Sequence, residues 1–207
     1  MPEPWNGRLA SAPLLFLSSN PSIGEGAAYP MGSWRDDEIE DFFANRFGRG
    51  RKAWVEGGNR ALLLDGKHAK ANAFWSGIRQ RAMELFNRPV APGLDYALTE
   101  LVRCKSLREY GVPEAAQECT SRYLIPTIEA AGAVVIVTLG KIAEAHARRL
   151  AHFEGAVSPP RMIAGRERVI AVLPHPNAHT KRSFAQCLSD VQIGVLRNRL
   201  ANSQIAS

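Results

Sequence analysis

Cysteine is scarce in this chain of 207 residues, which has only Cys104, Cys119 and Cys187 and no CxxC pair. An odd and widely spaced set of thiols argues against a disulfide framework and favours a reducing compartment. Apolar runs are also short, and none approaches the roughly 20 residues that a membrane-spanning helix needs. The N-terminal residues lack the pattern of a secretory signal peptide. We therefore expect a cytoplasmic protein with no membrane partner.

Several motifs of known enzyme classes are missing as well. No GxGxxG follows the first apolar run, which argues against a dinucleotide-binding enzyme. No P-loop, HExxH or GxSxG motif occurs either. Internal repeats and low-complexity tracts are absent. With 45% hydrophobic residues, the composition suits one globular domain spanning residues 1–207.

The charge that is present is basic. The chain has 26 Lys and Arg residues against 20 Asp and Glu residues, which gives a formal net charge of +6. A basic balance is compatible with binding to nucleic acid or to another polyanion.

Four short apolar runs predict buried strands. They are Pro13–Ser19, Tyr96–Val102, Ala133–Gly140 and Arg168–Pro174. Each run is too short for a typical helix, and its apolar residues follow one another without strict alternation. That pattern is typical of strands that are covered on both faces.

The segments between these runs carry helical patterns. The first has a candidate N-cap, Ser33, followed by an acidic first turn. The third opens with Pro113, a natural first-turn residue, and contains Pro126, which should kink or split it. The five predicted helices are Ser33–Phe47, His68–Arg88, Val112–Ala131, Lys141–Leu150 and Lys181–Leu200.

Alternation of strands and helices predicts the architecture. It favours a mainly parallel sheet with helices on both faces, because parallel strands need crossover connections. We expect an α/β fold, a three-layer α/β/α sandwich around a short sheet of about four strands. Residues from about 44 to 70 are irregular and basic, and we interpret them as a loop-rich insertion.

Polar residues collect where the predicted strands end. In open parallel sheets ligands bind at the carboxyl ends of the strands, so these residues should lie along one edge and form a single site. The candidates are Asn20, Ser22, Glu100, Arg103, Lys105, Lys141, His175, Asn177, His179, Lys181 and Arg182.

Three of these stretches, taken in order, resemble the uracil-DNA glycosylase superfamily. The first is SSNPS, with Ser18 where that family usually has glycine, and the last is HPNAH at residues 175–179. Between them, the stretch from LTELVRC to TLG is similar to the middle part of the iron–sulfur branches. The resemblance covers the chain from Pro13 to about Arg199, apart from the insertion.

The resemblance implies a monofunctional DNA glycosylase of base-excision repair. A damaged base such as uracil would be turned out of single- or double-stranded DNA and its N-glycosidic bond hydrolysed. Asn20 would orient the water and bond the base, assisted by Ser19 and Ser22. His175 would donate a hydrogen bond to the base oxygen as negative charge develops. Neutral imidazole can do this, because its ordinary pKa is about 6.5.

The resemblance also implies how DNA would be held. Asn177 and His179 would probe the strand, and Lys181 with Arg182 would contact flanking phosphates. Lys105 and Lys141, at other strand ends, are further candidates for DNA contact. The family stacks an aromatic ring on the flipped base, and Tyr29 and Trp34 are the nearest candidates. We expect the protein to act as a monomer.

Two features depart from the family pattern. Glu100 stands where many members have an asparagine that reads the base edge, and an ionised carboxylate offers acceptors only. Glu100 would then favour a base edge rich in N–H groups, or it would have to be protonated and desolvated. Cys104 and Cys119 resemble the second half of a four-cysteine iron–sulfur site, but no cysteine precedes them, so the first pair of ligands is missing. We therefore expect no metal and no cofactor.

Other interpretations remain open at this stage. Asn20 and Pro21 could simply end a strand with a turn, and Glu100 could pair with Arg103 or Lys105. The protein could also bind nucleic acid on the same fold without cleaving it, because Glu100 and the altered first motif weaken the match. A third possibility is a hydrolase that acts on a nucleoside or another small molecule.

Overall fold

A computed structural model describes residues 2–22, 26–48, 54–107, 109–178 and 183–205. The strands are β1 Leu14–Ser18, β2 Val55–Glu56, β3 Arg60–Ala61, β4 Tyr96–Glu100, β5 Val135–Leu139, β6 Arg161–Ile163 and β7 Arg166–Leu173. The helices are α1 Asp36–Ala44, α2 Ala73–Phe86, α3 Val112–Cys119, α4 Ile125–Ala130, α5 Lys141–Ala151 and α6 Asp190–Ile205.

The central sheet has five strands in the order β4–β1–β5–β7–β6. The first four are parallel to their neighbours, and β6 pairs antiparallel with β7. The predicted α/β architecture with a mainly parallel sheet is confirmed, with one strand more than expected. The additional strand β6 is a short edge strand in which Arg161 and Met162 are exposed. It therefore has no apolar run by which the sequence could predict it.

Side chains of the sheet alternate between two cores. Leu14 and Phe16 of β1 face the layer that contains α2 and α6. Leu15 and Leu17 face the opposite layer, which contains α4 and α5. Strands β1, β4 and β5 are buried along their whole length, so both of their faces carry apolar side chains and their sequences are largely apolar runs.

A third, aromatic cluster joins α1 to the irregular region. Phe42, Phe43 and Trp54 are buried there, and Tyr29 and Trp34 pack against them. The predicted N-cap at Ser33 is wrong, because α1 begins at Asp36 and residue 35 is its N-cap. Within the described part of residues 44–70, regular structure consists of the β2–β3 hairpin.

Two helices differ from the predicted ones, one by an interruption and one by a later start. The segment from 112 to 131 is split, as predicted from Pro126, with a π-helical turn at Thr120–Leu124 between α3 and α4. Proline lacks the N–H that would continue the regular bonding pattern. The final helix starts at Asp190, later than predicted, because the Glu84 carboxylate accepts the backbone N–H groups of Phe184 and Ala185 at 2.8 Å each and holds turns there. None of the helices in the described ranges is long and apolar enough to cross a membrane.

One buried arginine connects three elements. Arg168 in β7 has no exposed surface, and its guanidinium donates to five backbone carbonyl oxygens. Burial lowers the pKa of Arg168 to about 10, so the group stays charged at neutral pH. The acceptors belong to Ile128, Ala131, Ala133, Ile163 and Ala164. The side chain thus ties the end of α4 and the segment before β5 to the β6–β7 hairpin.

Replacing Arg168 should be strongly destabilising. Arg168→Met would leave buried carbonyl groups without donors, and we expect a loss of roughly 3–5 kcal/mol in the free energy of unfolding. Arg168→Lys should recover only part of it, since an ammonium cannot reproduce the planar fork. Urea denaturation measures both values. Arg166→Met serves as the control, since Arg166 is exposed and bonds one carbonyl, that of Gly132. Equal losses in the free energy of unfolding for the two methionine variants would contradict the structural role given to Arg168.

Candidate active site

Ends of three parallel strands meet at one cavity. Ser18 at the end of β1 is the register partner of Glu100 at the end of β4. Asn20 follows β1 directly, and His175 follows β7. The cavity has a volume of about 230 Å³, and six of the predicted residues line it. These are Asn20, Ser22, Glu100, Lys105, His175 and Asn177.

Glu100 lies at the buried end of this cavity. Its side chain accepts a hydrogen bond from the Ser18 hydroxyl. Burial raises the pKa of Glu100 to about 8, and the nearby Glu3 charge adds to this, against the opposing effects of Ser18 and Arg46. The carboxyl group is therefore protonated at neutral pH. Of the two forms left open by the sequence, the structure selects the protonated and desolvated one.

A buried ion pair lies beside Glu100. The Glu3 carboxylate accepts from Arg46 at 2.6 Å and from Asn6 at 2.7 Å, and Lys105 Nζ lies 3.9 Å away. Burial raises the pKa of Glu3, but the Arg46 charge, the Asn6 hydrogen bond and Lys105 outweigh it, so the pKa lies below its ordinary value. Glu3 is therefore ionised while Glu100 is neutral, because only Glu3 has cationic partners in direct contact.

Aromatic rings surround the two cations of this cluster. The Arg46 guanidinium lies 4.9 Å from the Phe42 ring centroid and 5.2 Å from that of Trp75. Lys105 Nζ lies 3.3 Å from the Tyr29 ring centroid. Burial lowers the pKa of Lys105, although Glu3 works against this. Lys105 thus belongs to the cavity wall, next to Glu3, and the salt bridge between Glu100 and Lys105 that the sequence allowed does not form.

His175 is held in one ring orientation. Its ring stacks on Phe74, with centroids 5.2 Å apart and an angle of 23° between the planes. Nδ1 accepts the backbone N–H of Asn177 at 3.2 Å, so a neutral ring carries its hydrogen on Nε2. Burial lowers the pKa of His175, and Arg81 adds to this, whereas Glu109 opposes it. The group is therefore a neutral Nε2–H donor at neutral pH.

Helix α2 supports the loop that carries His175. Arg81 donates to the Pro174 carbonyl at 2.8 Å. A Cβ atom on Gly77 would lie 3.0 Å from Pro176 Cβ, so glycine lets the helix approach this loop closely. Phe74, from the same helix, supplies the ring under the imidazole. The helix therefore sets both the height and the tilt of His175 at the edge of the sheet.

Asn20 is fixed by the turn around it. Its amide nitrogen donates to the Pro21 carbonyl at 2.9 Å and to Ser106 Oγ at 3.0 Å. Its Oδ1 lies 3.4 Å from Ser19 Oγ, and the Ser19 hydroxyl donates its hydrogen to the Glu109 carboxylate. With both amide hydrogens engaged, Oδ1 is the part of Asn20 that can accept a further hydrogen bond.

A second cavity adjoins the first. It has a volume of about 520 Å³ and shares Asn20, Ser22 and His175 with the first cavity. Lys141, predicted to contact DNA, is exposed and lines this second cavity. The two cavities are thus adjacent, and the predicted catalytic pair, Asn20 and His175, lines both.

Other predicted residues lie elsewhere. The Trp34 ring is 5.2 Å from Trp54 in the aromatic cluster, and neither Trp34 nor Tyr29 is among the described residues that line the two cavities. His179, Lys181 and Arg182 lie outside the described residues. Arg103 donates to the Tyr123 carbonyl and to Thr127. Trp34 packs in a core because α1 brings other aromatic side chains against it.

The cysteines occupy a different place. Cys104 and Cys119 both line a groove of about 700 Å³, next to Trp5, Phe43 and Tyr123. Both thiols are free. Within the described part of the chain, no group of three or more His, Cys, Asp and Glu side chains is arranged to hold a metal ion.

Sequence reasoning missed three residues of the site: Glu3, Arg46 and Phe74. Phe74 lies in the helix predicted at His68–Arg88 and packs against the core beside Trp75, but a helical pattern does not show that its ring also stacks on His175. Arg46 is one of many basic residues, and only its burial, at 5% exposure, distinguishes it. Glu3 lies far from the motifs in sequence. It comes to the cavity because the N-terminal segment bonds to β4 through Asn6 and Leu98.

Comparison with models of known protein families gives no match, and comparison with curated proteins gives none either. The site must therefore be interpreted from its own geometry and chemistry.

The protonation of Glu100 predicts a pH-dependent stability. Between its ordinary pKa and about 8, the folded protein keeps a proton that the unfolded chain releases, so raising the pH favours unfolding. We expect the free energy of unfolding to fall relative to Glu100→Gln from about pH 5 to about pH 8, by at most about 1.4 kcal/mol per pH unit.

Chemical denaturation of both proteins across this pH range measures the difference. Glutamine can still accept from Ser18, so the variant should fold. Glu154→Gln, at an exposed position, is the matched control and should follow the wild type. If Glu100→Gln also follows the wild type, Glu100 is ionised in the folded protein.

Proposed function

We propose that this protein is a DNA glycosylase that hydrolyses the N-glycosidic bond of a flipped-out damaged base. One observation carries the proposal: Asn20, Glu100 and His175, from three strand ends, line one cavity, and its buried acid is neutral. A base would occupy the cavity of about 230 Å³, and its sugar and phosphates would lie in the adjoining cavity. The resemblance to the uracil-DNA glycosylase superfamily gives the same roles to Asn20 and His175.

Glu100 can read the edge of a base as an asparagine would. A protonated carboxyl group offers one donor and one acceptor, whereas a carboxylate offers acceptors alone. With Ser18 donating to Oε2, the carboxyl proton would lie on Oε1, from which it would donate a hydrogen bond to a base carbonyl. Oε2 keeps a lone pair that can accept a hydrogen bond from a ring N–H. The donor on Oε1 and the acceptor on Oε2 together match a base with adjacent C=O and N–H groups, such as uracil or hypoxanthine.

The remaining steps need only Asn20 and His175. Oδ1 of Asn20 would accept a hydrogen bond from the attacking water and direct its oxygen at the sugar carbon C1′. As the C1′–N bond breaks, its electron pair stays on the base. Nε2–H of His175 would donate to a base oxygen and stabilise that anion. The water oxygen ends on C1′, its proton leaves to solvent or to the base, and the products are an abasic sugar and a free base.

Excision assays test this function. The panel contains labelled oligonucleotides with uracil, hypoxanthine, xanthine or undamaged bases, in single and double strands, followed by alkaline cleavage. We expect strand breaks on at least one damaged base, reduced about 100-fold or more in Asn20→Ala and in His175→Ala. Lys67→Ala, at an exposed position in the irregular region, should retain activity.

Two other results would redirect the assignment. Absence of breaks together with salt-sensitive binding of DNA would favour the binding protein without cleavage activity. If the protein neither breaks the strands nor binds DNA, the result would favour a hydrolase that acts on a nucleoside or another small molecule.

The pH profile gives a second test. Above about pH 8, Glu100 loses its proton and with it the donor, so wild-type excision should fall about tenfold per pH unit. Glu100→Gln carries an amide with a permanent donor, and its activity should stay level over the same range. A parallel fall in the two proteins would show that another group causes the loss.

A further inference from the structure

Two apolar side chains stand out in solvent next to the candidate active site. They belong to the segment between β4 and α3, described at Ser106–Leu107 and Glu109–Gly111. Leu107 is 66% exposed, and Tyr110, at 89%, is the most exposed large hydrophobic side chain in the described ranges. We call these residues the 106–111 segment.

The 106–111 segment is bonded directly to the turn that carries Asn20. Ser106 Oγ accepts from the Asn20 amide at 3.0 Å, and Ser106 N donates to the Pro21 carbonyl at 3.3 Å. Farther along, the Glu109 carboxylate accepts from Ser19 Oγ. Glu109 has a φ of 60°, a left-handed conformation that costs energy in a residue with a side chain. Leu107 and Tyr110 are therefore exposed on a segment whose backbone is fixed by hydrogen bonds to the turn that carries Asn20.

The segment also borders the second cavity. Ser106 and Glu109 line it together with Lys141, and this cavity shares Asn20, Ser22 and His175 with the first. If a base fills the first cavity, as the proposed function requires, the second cavity is the adjacent space for the nucleotide's backbone. The neighbouring nucleotides along the strand would then lie beside the 106–111 segment.

We propose that the 106–111 segment is a second nucleic-acid contact, in which Tyr110 stacks on a base beside the extruded nucleotide and Leu107 packs against the exposed base step. The choice of nucleic acid rests on the proposed function, on the shared cavity and on the net charge of +6. Extruding a nucleotide exposes the faces of its neighbours, and aromatic side chains stack on such faces without regard to sequence. This contact differs from the probing role expected of the residues after His175.

Binding to an abasic duplex tests the contact without requiring excision. The duplex carries a tetrahydrofuran abasic analogue with 2-aminopurine as the neighbouring base. Affinity is measured by fluorescence anisotropy, and stacking by 2-aminopurine emission. Tyr110→Ala should bind about 5-fold to 100-fold more weakly and lose the change in emission, whereas Tyr110→Phe should keep both. Leu107→Ala should show a smaller loss of affinity.

Met162→Ala is the matched control, because Met162 is 72% exposed on β6, at the edge of the sheet away from β4 and β1. Its binding should equal that of the wild type. Unchanged affinity and emission in Tyr110→Ala would overturn the proposal and point to a protein partner for this surface. Failure of the wild type to bind the abasic duplex would overturn it as well. If Tyr110→Ala weakens binding but the wild type excises no base, the contact stands and the proposed activity fails.

Discussion

The parallel pairing of β1 with β4 on one side and β5 on the other is the constraint on which the site depends. It places Ser18 opposite Glu100 and continues past the strand ends, where Leu101 and Val102 donate to the carbonyls of Ser18 and Ser19. From β1 the chain reaches β4 on one side, and β4 is followed by β5 on the other side of β1, so the strand order reverses at β1 and a crevice opens at its carboxyl end. The serine–acid contact and the Asn20 turn both sit in that crevice. A shift of β4 by one residue would turn Glu100 to the other face of the sheet and remove the contact between Ser18 and Glu100.

The neutrality of Glu100 is a property of its surroundings rather than of the residue. Glu3 and Glu100 are both buried carboxyl groups near Arg46, yet one is ionised and the other is not. Glu3 contacts Arg46 directly and so keeps its charge, and that charge in turn disfavours a second one on Glu100. Separating the protonation states of neighbouring acids is a common way to obtain both an ion pair and a hydrogen-bond donor in one site. The aromatic rings around Arg46 hold the cation in place and keep water from screening the cluster.

Much of the candidate site could be predicted because its residues follow strands directly. Asn20, Glu100 and His175 were expected to converge, and they line one cavity. Lys105 also lines this cavity as expected, but its ion-pair partner Glu3 could not be foreseen, because the N-terminal segment is distant in sequence. Trp34, the aromatic near the first motif, packs against Trp54, whereas Phe74 packs both against the core and on the ring of His175. Aromatic residues have the same local pattern in either place, so only packing distinguishes them.

By itself, the sequence determined the alternation of strands and helices, the two-sided burial of the sheet and the strand ends at which polar residues collect. These follow from local patterns, because apolar runs and helix periodicity depend on a few neighbouring residues. Only the tertiary structure decided that Glu100 is protonated, that His175 carries its hydrogen on Nε2, and that Glu3 and Arg46 stand beside them. Those properties depend on burial and on contacts between residues as far apart in sequence as Glu3 and Arg46. A local sequence pattern predicts neither the burial nor the contacts.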